Sequence, residues 1–261
     1  MSRRRESYSY IGKCLLCVGT LFMAVSTSSA QESQSGDPWK FKAALYFWGA
    51  SINGSTQNGS NIDIPFDELF DNLNFAIMGG FAARKDKWSA ALDVIYMDAS
   101  GDKSGTITPS ALPSLSIPVS ADVDLTGWVV NLNGARNVYD GERASVDVLV
   151  GLRYLDVESK LTVSVASLPP GSVKSTDTSL DGVVGARGQI NLSKTWFIPY
   201  YVDVGTGQSD FTWQGFGGVG YSFKPVDVVV GYRYLYWNFD SSNDLSDLSF
   251  SGPLAGVVFK F

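Results

Sequence analysis

The sequence predicts an all-β protein, a transmembrane antiparallel up-and-down β-barrel of about ten strands, with eight or twelve as alternatives. Three observations carry this. The chain opens with an export leader, its body alternates apolar and polar residues between turns of a short–long rhythm, and its last strand ends on Phe261.

The first thirty residues read as a secretory leader. Arg3, Arg4, Arg5 and Lys13 begin it, an uncharged, largely apolar run covers Cys14 to Val25, and small residues lead to Ser28-Ser29-Ala30. That order of segments predicts export by the general secretory route, with cleavage between Ala30 and Gln31. The apolar run is shorter than the roughly 20 residues a spanning helix needs. Leu16 stands before Cys17 where lipid attachment wants a small residue, which argues against a lipoprotein. Residues 31–38 are then expected to form a periplasmic tail and residues 39–261 the barrel domain.

Cys14 and Cys17 both fall in the leader, so no disulfide framework is expected after it. Of 20 basic and 26 acidic residues, four and one lie in the leader, which leaves 16 and 25 and a net charge near −9. Such acidity argues against a nucleic-acid partner, which wants a basic footprint.

At the other end, Ala255, Val257, Phe259 and Phe261 share one face of an alternating segment. A soluble protein seldom finishes on an exposed aromatic strand. The pattern resembles the C-terminal signal read by the insertion machinery of outer-membrane barrels, with Val257, Phe259 and Phe261 as its apolar positions.

No segment after the leader approaches eighteen apolar residues, so helical spans are not expected. The predicted strands are Trp39–Asn53, Leu73–Arg84, Trp88–Ser100, Val123–Tyr139, Ala144–Ser159, Ser179–Leu192, Thr195–Gly205, Asp210–Phe223, Val226–Phe239 and Leu248–Phe261. Connections after the even-numbered ones are tight: Lys85-Asp86-Lys87, Asp140-Gly141-Glu142, Ser193-Lys194 and Lys224-Pro225. Those after odd-numbered ones include the long Gly54–Asn72, Gly101–Asp122 and Lys160–Thr178. Short periplasmic turns opposite long outer loops suit a membrane barrel, whereas a sandwich has no reason to keep that rhythm.

Aromatic residues sit at both ends of the predicted strands. Trp39, Trp88, Tyr139, Trp196, Phe223, Phe259 and Phe261 lie near the short turns; Phe47, Trp48, Tyr96, Trp128, Tyr154, Trp213, Tyr236 and Trp237 lie near the long loops. Two interfacial girdles are the expectation. Alternation also turns Asp93, Asp147, Arg153, Asp181, Arg187, Asp203 and Arg233 inward, which gives a lumen with charges of both signs. Pro199 and Pro253 are expected to mark bulges or frayed ends, because proline removes a ladder hydrogen bond.

The first outer loop carries a helical signal. Pro65 suits the first helical position, and Phe66, Leu69, Phe70 and Leu73 follow at i, i+3, i+4 and i+7. Such a helix could plug the mouth through Phe66, Leu69 and Phe70, or cap the rim of the barrel.

Several strings resemble a broad family of small Gram-negative outer-membrane β-barrel proteins within the porin and opacity-protein superfamily. They are Tyr46-Phe47-Trp48-Gly49 within Trp39–Gly54, the segment Asp63–Leu73, and the repeated Gly151-Leu152-Arg153-Tyr154-Leu155 and Gly231-Tyr232-Arg233-Tyr234-Leu235. The resemblance spans nearly all of residues 39–261 and implies a bacterial outer-membrane location, with no catalytic residues to carry over.

The chain contains no histidine. Ser–His and Asp–His arrangements cannot be built, so an enzyme is not expected, nor is a cofactor or a metal site. The inward aspartates read as salt-bridge partners of Arg153, Arg187 and Arg233. The expected function is a structural or narrow, porin-like barrel that passes small solutes slowly if at all. A surface-binding protein acting through its long outer loops is the alternative. Expected partners are outer-membrane lipid, lipopolysaccharide and the insertion machinery, with the barrel itself a monomer.

Overall fold

The computed structural model describes residues 38–59, 61–107, 117–165, 169–240 and 244–261. The predicted leader, its cleavage point at Ala30 and Gln31, and the predicted tail up to Asp37 lie outside the described residues.

A strand that is apolar on one face and polar on the other leaves its backbone groups unpaired at its edges. Closing the sheet on itself removes those edges. The strands are β1 (Lys40–Trp48), β2 (Ser51–Thr56), β3 (Asn61–Ile64), β4 (Leu73–Lys85), β5 (Trp88–Ile107), β6 (Ile117–Asp140), β7 (Ala144–Val165), β8 (Gly171–Asn191), β9 (Trp196–Gly207), β10 (Phe211–Ser222), β11 (Val226–Asn238) and β12 (Leu245–Lys260). Among the described residues one helix, α1 (Phe66–Asp71), precedes β4. Ten strands run β1, then β4 through β12 in sequence, and β12 pairs back onto β1, closing an antiparallel barrel. Phe41 N–H donates to the Phe261 carbonyl at 2.7 Å, and Phe261 N–H returns the bond at 3.1 Å.

The predicted first strand, Trp39–Asn53, divides into β1 and β2. The division is local, because Trp48↔Leu254 and Ser51↔Ser251 keep one register along β12. Pro253, which has no N–H, lies opposite Gly49 and interrupts the ladder without a bulge. Pro199 behaves alike: β9 and β10 pair at Tyr200↔Gly217 and Phe197↔Gly220 in one register, with the rungs between them missing.

The predicted loops Gly101–Asp122 and Lys160–Thr178 are largely strand. β5 and β6 stay paired to Ile107↔Ile117, and β7 and β8 to Val163↔Gly171. Above the membrane both faces of a hairpin meet water, so its Ser, Thr and Val residues lose the apolar/polar alternation that marks the lower strands. Strand β3 and its pairing to β2 through Ile52↔Ile64 also replace predicted loop.

Outward-facing Leu45, Leu132, Val148, Val150, Leu152, Val184 and Val230 are 50 to 63% exposed and form an apolar belt. Aromatic clusters edge it on both sides. Below are Trp39, Phe41 and Phe81 in a stacked row, with Trp196, Tyr221 and Phe223 in an edge-on and tilted cluster. Above are Phe75, Tyr96 and Trp128, then Trp213 stacked on Tyr234 at 4.8 Å. Trp48 and Trp237 do not join the outer girdle. They point into the lumen and are buried, at 3% and 0% exposure.

Candidate functional site

The lumen is layered. Towards the short-turn end, Asp147 on β7 receives Arg84 from β4 and lies 3.5 Å from Nε of Arg187 on β8. Arg187 also donates to Asn133 Oδ1 at 2.8 Å and to Ser89 Oγ at 2.9 Å.

A tighter layer lies above. Arg153 on β7 is fully buried, and its Nη2 donates to both carboxylate oxygens of Asp203 on β9, at 2.7 and 2.6 Å. Its Nε donates to Asn131 Oδ1 at 2.8 Å and its Nη1 to Thr212 Oγ1 at 2.9 Å. Arg233 on β11 donates to Asp93 Oδ2 at 2.7 Å, Gln214 Oε1 at 2.9 Å and Tyr46 Oη at 3.0 Å. Tyr46 in turn donates to Asp93 at 2.6 Å, and Tyr201 to Asp203 at 2.5 Å. These partners come from β1, β5, β6, β7, β9, β10 and β11, so the network spans the bore from wall to wall. Asp181, also fully buried, accepts instead from Ser209 N–H and the Ser179 hydroxyl, each at 2.9 Å. The expectation of an arginine partner for it is corrected: Asp181 ties down the β9–β10 turn.

Two tryptophans lie against the arginines. The Arg233 guanidinium lies 5.0 Å from the Trp48 ring centre, and that of Arg153 lies 5.8 Å from Trp237.

Above that floor the lumen turns apolar. Trp48, Ile52, Ile95, Val129, Leu245 and Leu248 are buried there around a cavity of ≈ 200 Å³. Across the mouth, Asp244 reaches from the start of β12 to β8. Its N–H donates to Asp177 Oδ1 at 3.1 Å, and its carboxylate accepts from Ser175 Oγ at 2.5 Å. Gln57 N–H donates to the Asp244 carbonyl at 3.0 Å, tying β2 to the same roof.

The wall of this upper chamber is incomplete. β1 and β4 pair only from Lys40↔Arg84 to Leu45↔Gly79. Above that point Tyr46–Trp48 pair with β12 and Leu73–Met78 with β5, and α1 lies across the gap. Leu69 faces inward and is buried, whereas Phe66 and Phe70 pack edge-on against the outward ring of Phe47 at 6.0 and 6.1 Å. The helix thus neither plugs the mouth nor caps the rim. It fills a seam in the wall, and Pro65 precedes it as the N-cap residue.

Neither a family model nor a curated protein matches the sequence. Among solved structures, the outer membrane protease OmpT from Escherichia coli is similar in fold, with a TM-score of 0.55 and 11% identity over 88% of this chain and 99% of that one. Together with the apolar belt and its two girdles, that likeness decides the fold. The chain has the fold of an outer-membrane β-barrel. The translocator domain of autotransporter NalP from Neisseria meningitidis matches at a TM-score of 0.41 and 15% identity, over 88% of this chain and 90% of that one. Neisserial surface protein A matches at 0.37 and 16%, over 87% and 100%.

In this barrel Asp93, Arg153, Asp203 and Arg233 converge on one network, Asp147 and Arg187 lie below it, and Asp181 stands apart near the β9–β10 turn. Tyr46, Arg84, Asn131, Tyr201, Thr212 and Gln214 join these networks, and the sequence marks none of them but Tyr46, which it places only in a family string. Strand parity held the signal for most of them: Asn131 is two residues from Asn133 and lies opposite Arg153, and Gln214 lies two from Thr212.

Proposed function

We propose that the barrel is a structural outer-membrane protein whose lumen is held shut at mid-height, passing small solutes slowly if at all. The observation that carries this is the Arg153–Asp203 pair, with both side chains at 0% exposure. A diffusion pore needs water at its narrowest level, and here the guanidinium and carboxylate exclude it. Planar-bilayer recording on refolded protein tests the reading. The wild-type barrel is expected to be silent and the double variant Arg153→Ala/Asp203→Ala to show discrete steps. Large steady steps from the unaltered protein would reject it.

A second reading, surface binding, is favoured by the two tall hairpins β5–β6 and β7–β8, which carry paired strand well above the outer girdle. Cells or matrix retained by the whole barrel and lost on trimming both hairpins would establish it. We read the barrel as non-enzymatic on the same chemical ground as before, the lack of histidine. Its expected partners are lipid and lipopolysaccharide around the belt. During assembly they include the insertion machinery that reads Val257, Phe259 and Phe261.

A further inference from the structure

We propose that the upper chamber binds one small, uncharged apolar molecule, the size of a single aromatic ring or a short branched chain, and admits it sideways through the seam between β1 and β4. The chamber is bounded by Trp48, Met78, Ile95, Met97, Leu125 and Val157, and it holds ≈ 200 Å³. Protein interiors close-pack, and voids much larger than a water molecule are few. An apolar cavity of about 150 Å³ is known to stay dry and to take up benzene. A space of this size and lining therefore suits such a molecule. Ions and sugars find almost no partners, because only Ser159, Ser175, Asp177 and Thr56 bring polar side chains to its upper edge.

Access follows from the boundaries. The floor is the arginine–carboxylate network and the roof is the Asp177–Asp244 contact. The side wall is different. Phe47 and Phe70, 43% and 53% exposed on the outside, also line the cavity, so it reaches the exterior beside α1. That helix is six residues long, gets no side-chain cap from its N-cap residue Pro65, and is held by Phe66 N–H on Ser51 Oγ and Ser100 N–H on the Asn72 carbonyl. The seam starts at the level of the outer girdle, where apolar solutes concentrate at the membrane surface. A lipid chain, half of a roughly 30 Å hydrocarbon core in length, takes up more volume than the ≈ 200 Å³ available here. A free small molecule is therefore the occupant we assign. Methionine suits such a wall, because its flexible thioether repacks around differently shaped guests.

Met78 and Met97 are the only methionines after residue 30, and both line the chamber, so [13C-methyl]methionine labelling reads the site directly. The probe is fluorobenzene, added to the barrel extracted from outer membranes into an amphipathic polymer. Both methyl resonances are expected to shift saturably with one site per barrel. Leu125→Trp and Val157→Trp, each verified by heat-dependent gel mobility, are expected to weaken binding at least tenfold. Phe66→Ala, which opens the seam, is expected to speed exchange several-fold. No saturable shift at either methyl overturns the site. So does native mass spectrometry that finds one lipid retained per barrel and fluorobenzene excluded, which would make a lipid chain the occupant. Exchange unchanged by Phe66→Ala overturns the lateral route. The bilayer recording is separate, so a silent barrel without fluorobenzene binding would remove this proposal and leave the closed lumen standing.

Discussion

The backbone N–H of Trp48 donates to Sδ of Met78 at 3.3 Å, across the point where β1 and β4 part. A continued ladder would offer that N–H a carbonyl of β4. A thioether is a weaker acceptor, so the seam is joined by a side chain where the rest of the wall is joined by backbone.

Met78→Leu keeps the bulk and removes the acceptor, and it is expected to cost about 1 kcal/mol. Met78→Ala also removes packed volume and is expected to cost about 2–4 kcal/mol. Equilibrium urea unfolding from lipid vesicles measures both, and a Met78→Leu cost near zero would show that the sulfur contributes nothing beyond bulk.

Asp203→Ala strands a buried guanidinium and is expected to cost about 3–5 kcal/mol. Replacing the pair together, Arg153→Met/Asp203→Leu, is expected to cost far less, since neither charge is then left alone. The same unfolding assay separates the two outcomes.

The repeated Gly-x-Arg-Tyr-Leu strings owe their glycines to close approach. A Cβ at Gly151 would lie 2.3 Å from the Leu132 carbonyl oxygen, and one at Gly231 2.5 Å from that of Gly217. Gly151→Val is expected to abolish the heat-modifiable folded band on gels. Gly217→Ala, with nothing within 4 Å of its Cβ, is expected to leave the band intact.

At the roof, above the outer girdle, burial pushes the Asp177 carboxyl above the usual aspartate range. The nearby Asp244 carboxylate pushes the same way, against hydrogen bonds from the backbone of Asp244 and Leu245 and from Ser175. With its folded value raised, Asp177 favours the fold most below the unfolded aspartate pKa, about 3.9. That contribution disappears as pH rises through the folded value. Asp177→Asn is therefore expected to raise the unfolding temperature at pH 7 and to lose that advantage near pH 3. A variant less stable than wild type at pH 7 would contradict this.

Phe261 lies at the closing seam, where its backbone pairs with Phe41, while its side chain stays 67% exposed. Phe261→Ala keeps the backbone bonds. It is expected to lower the amount assembled in cells several-fold while refolding in detergent stays near wild type. Equal losses in both would make the ring structural and leave the insertion machinery out.

Much of this was legible in the sequence because a β-strand has a period of two. Parity alone turned Arg153, Arg233 and Asp203 inward and Val148, Val150 and Leu152 outward. Which carboxylate meets which guanidinium was not legible. Those contacts cross the bore, and the stagger of a closed barrel decides them. Asp181 lies opposite Arg153 in the β7–β8 ladder, yet Arg153 reaches across to Asp203. Arg84 escaped notice beside a short turn, where a cation ordinarily reaches for water. The helical spacing of Phe66, Leu69 and Phe70 was plain. Its place in the wall was not, because nothing local to residues 65–72 records that β1 and β4 separate.

The stacking of an uncharged chamber over a charged layer has a consequence for anything moving through the bore. An ion arriving from outside must first shed its hydration among Ile95, Leu125 and Leu248, where nothing replaces it. An apolar molecule starting from the periplasm meets the opposite obstacle, since it must prise apart ion pairs that regain nothing from its company. The two halves reject complementary cargo. Whatever is at home in the upper half is thereby confined to commerce with the cell surface.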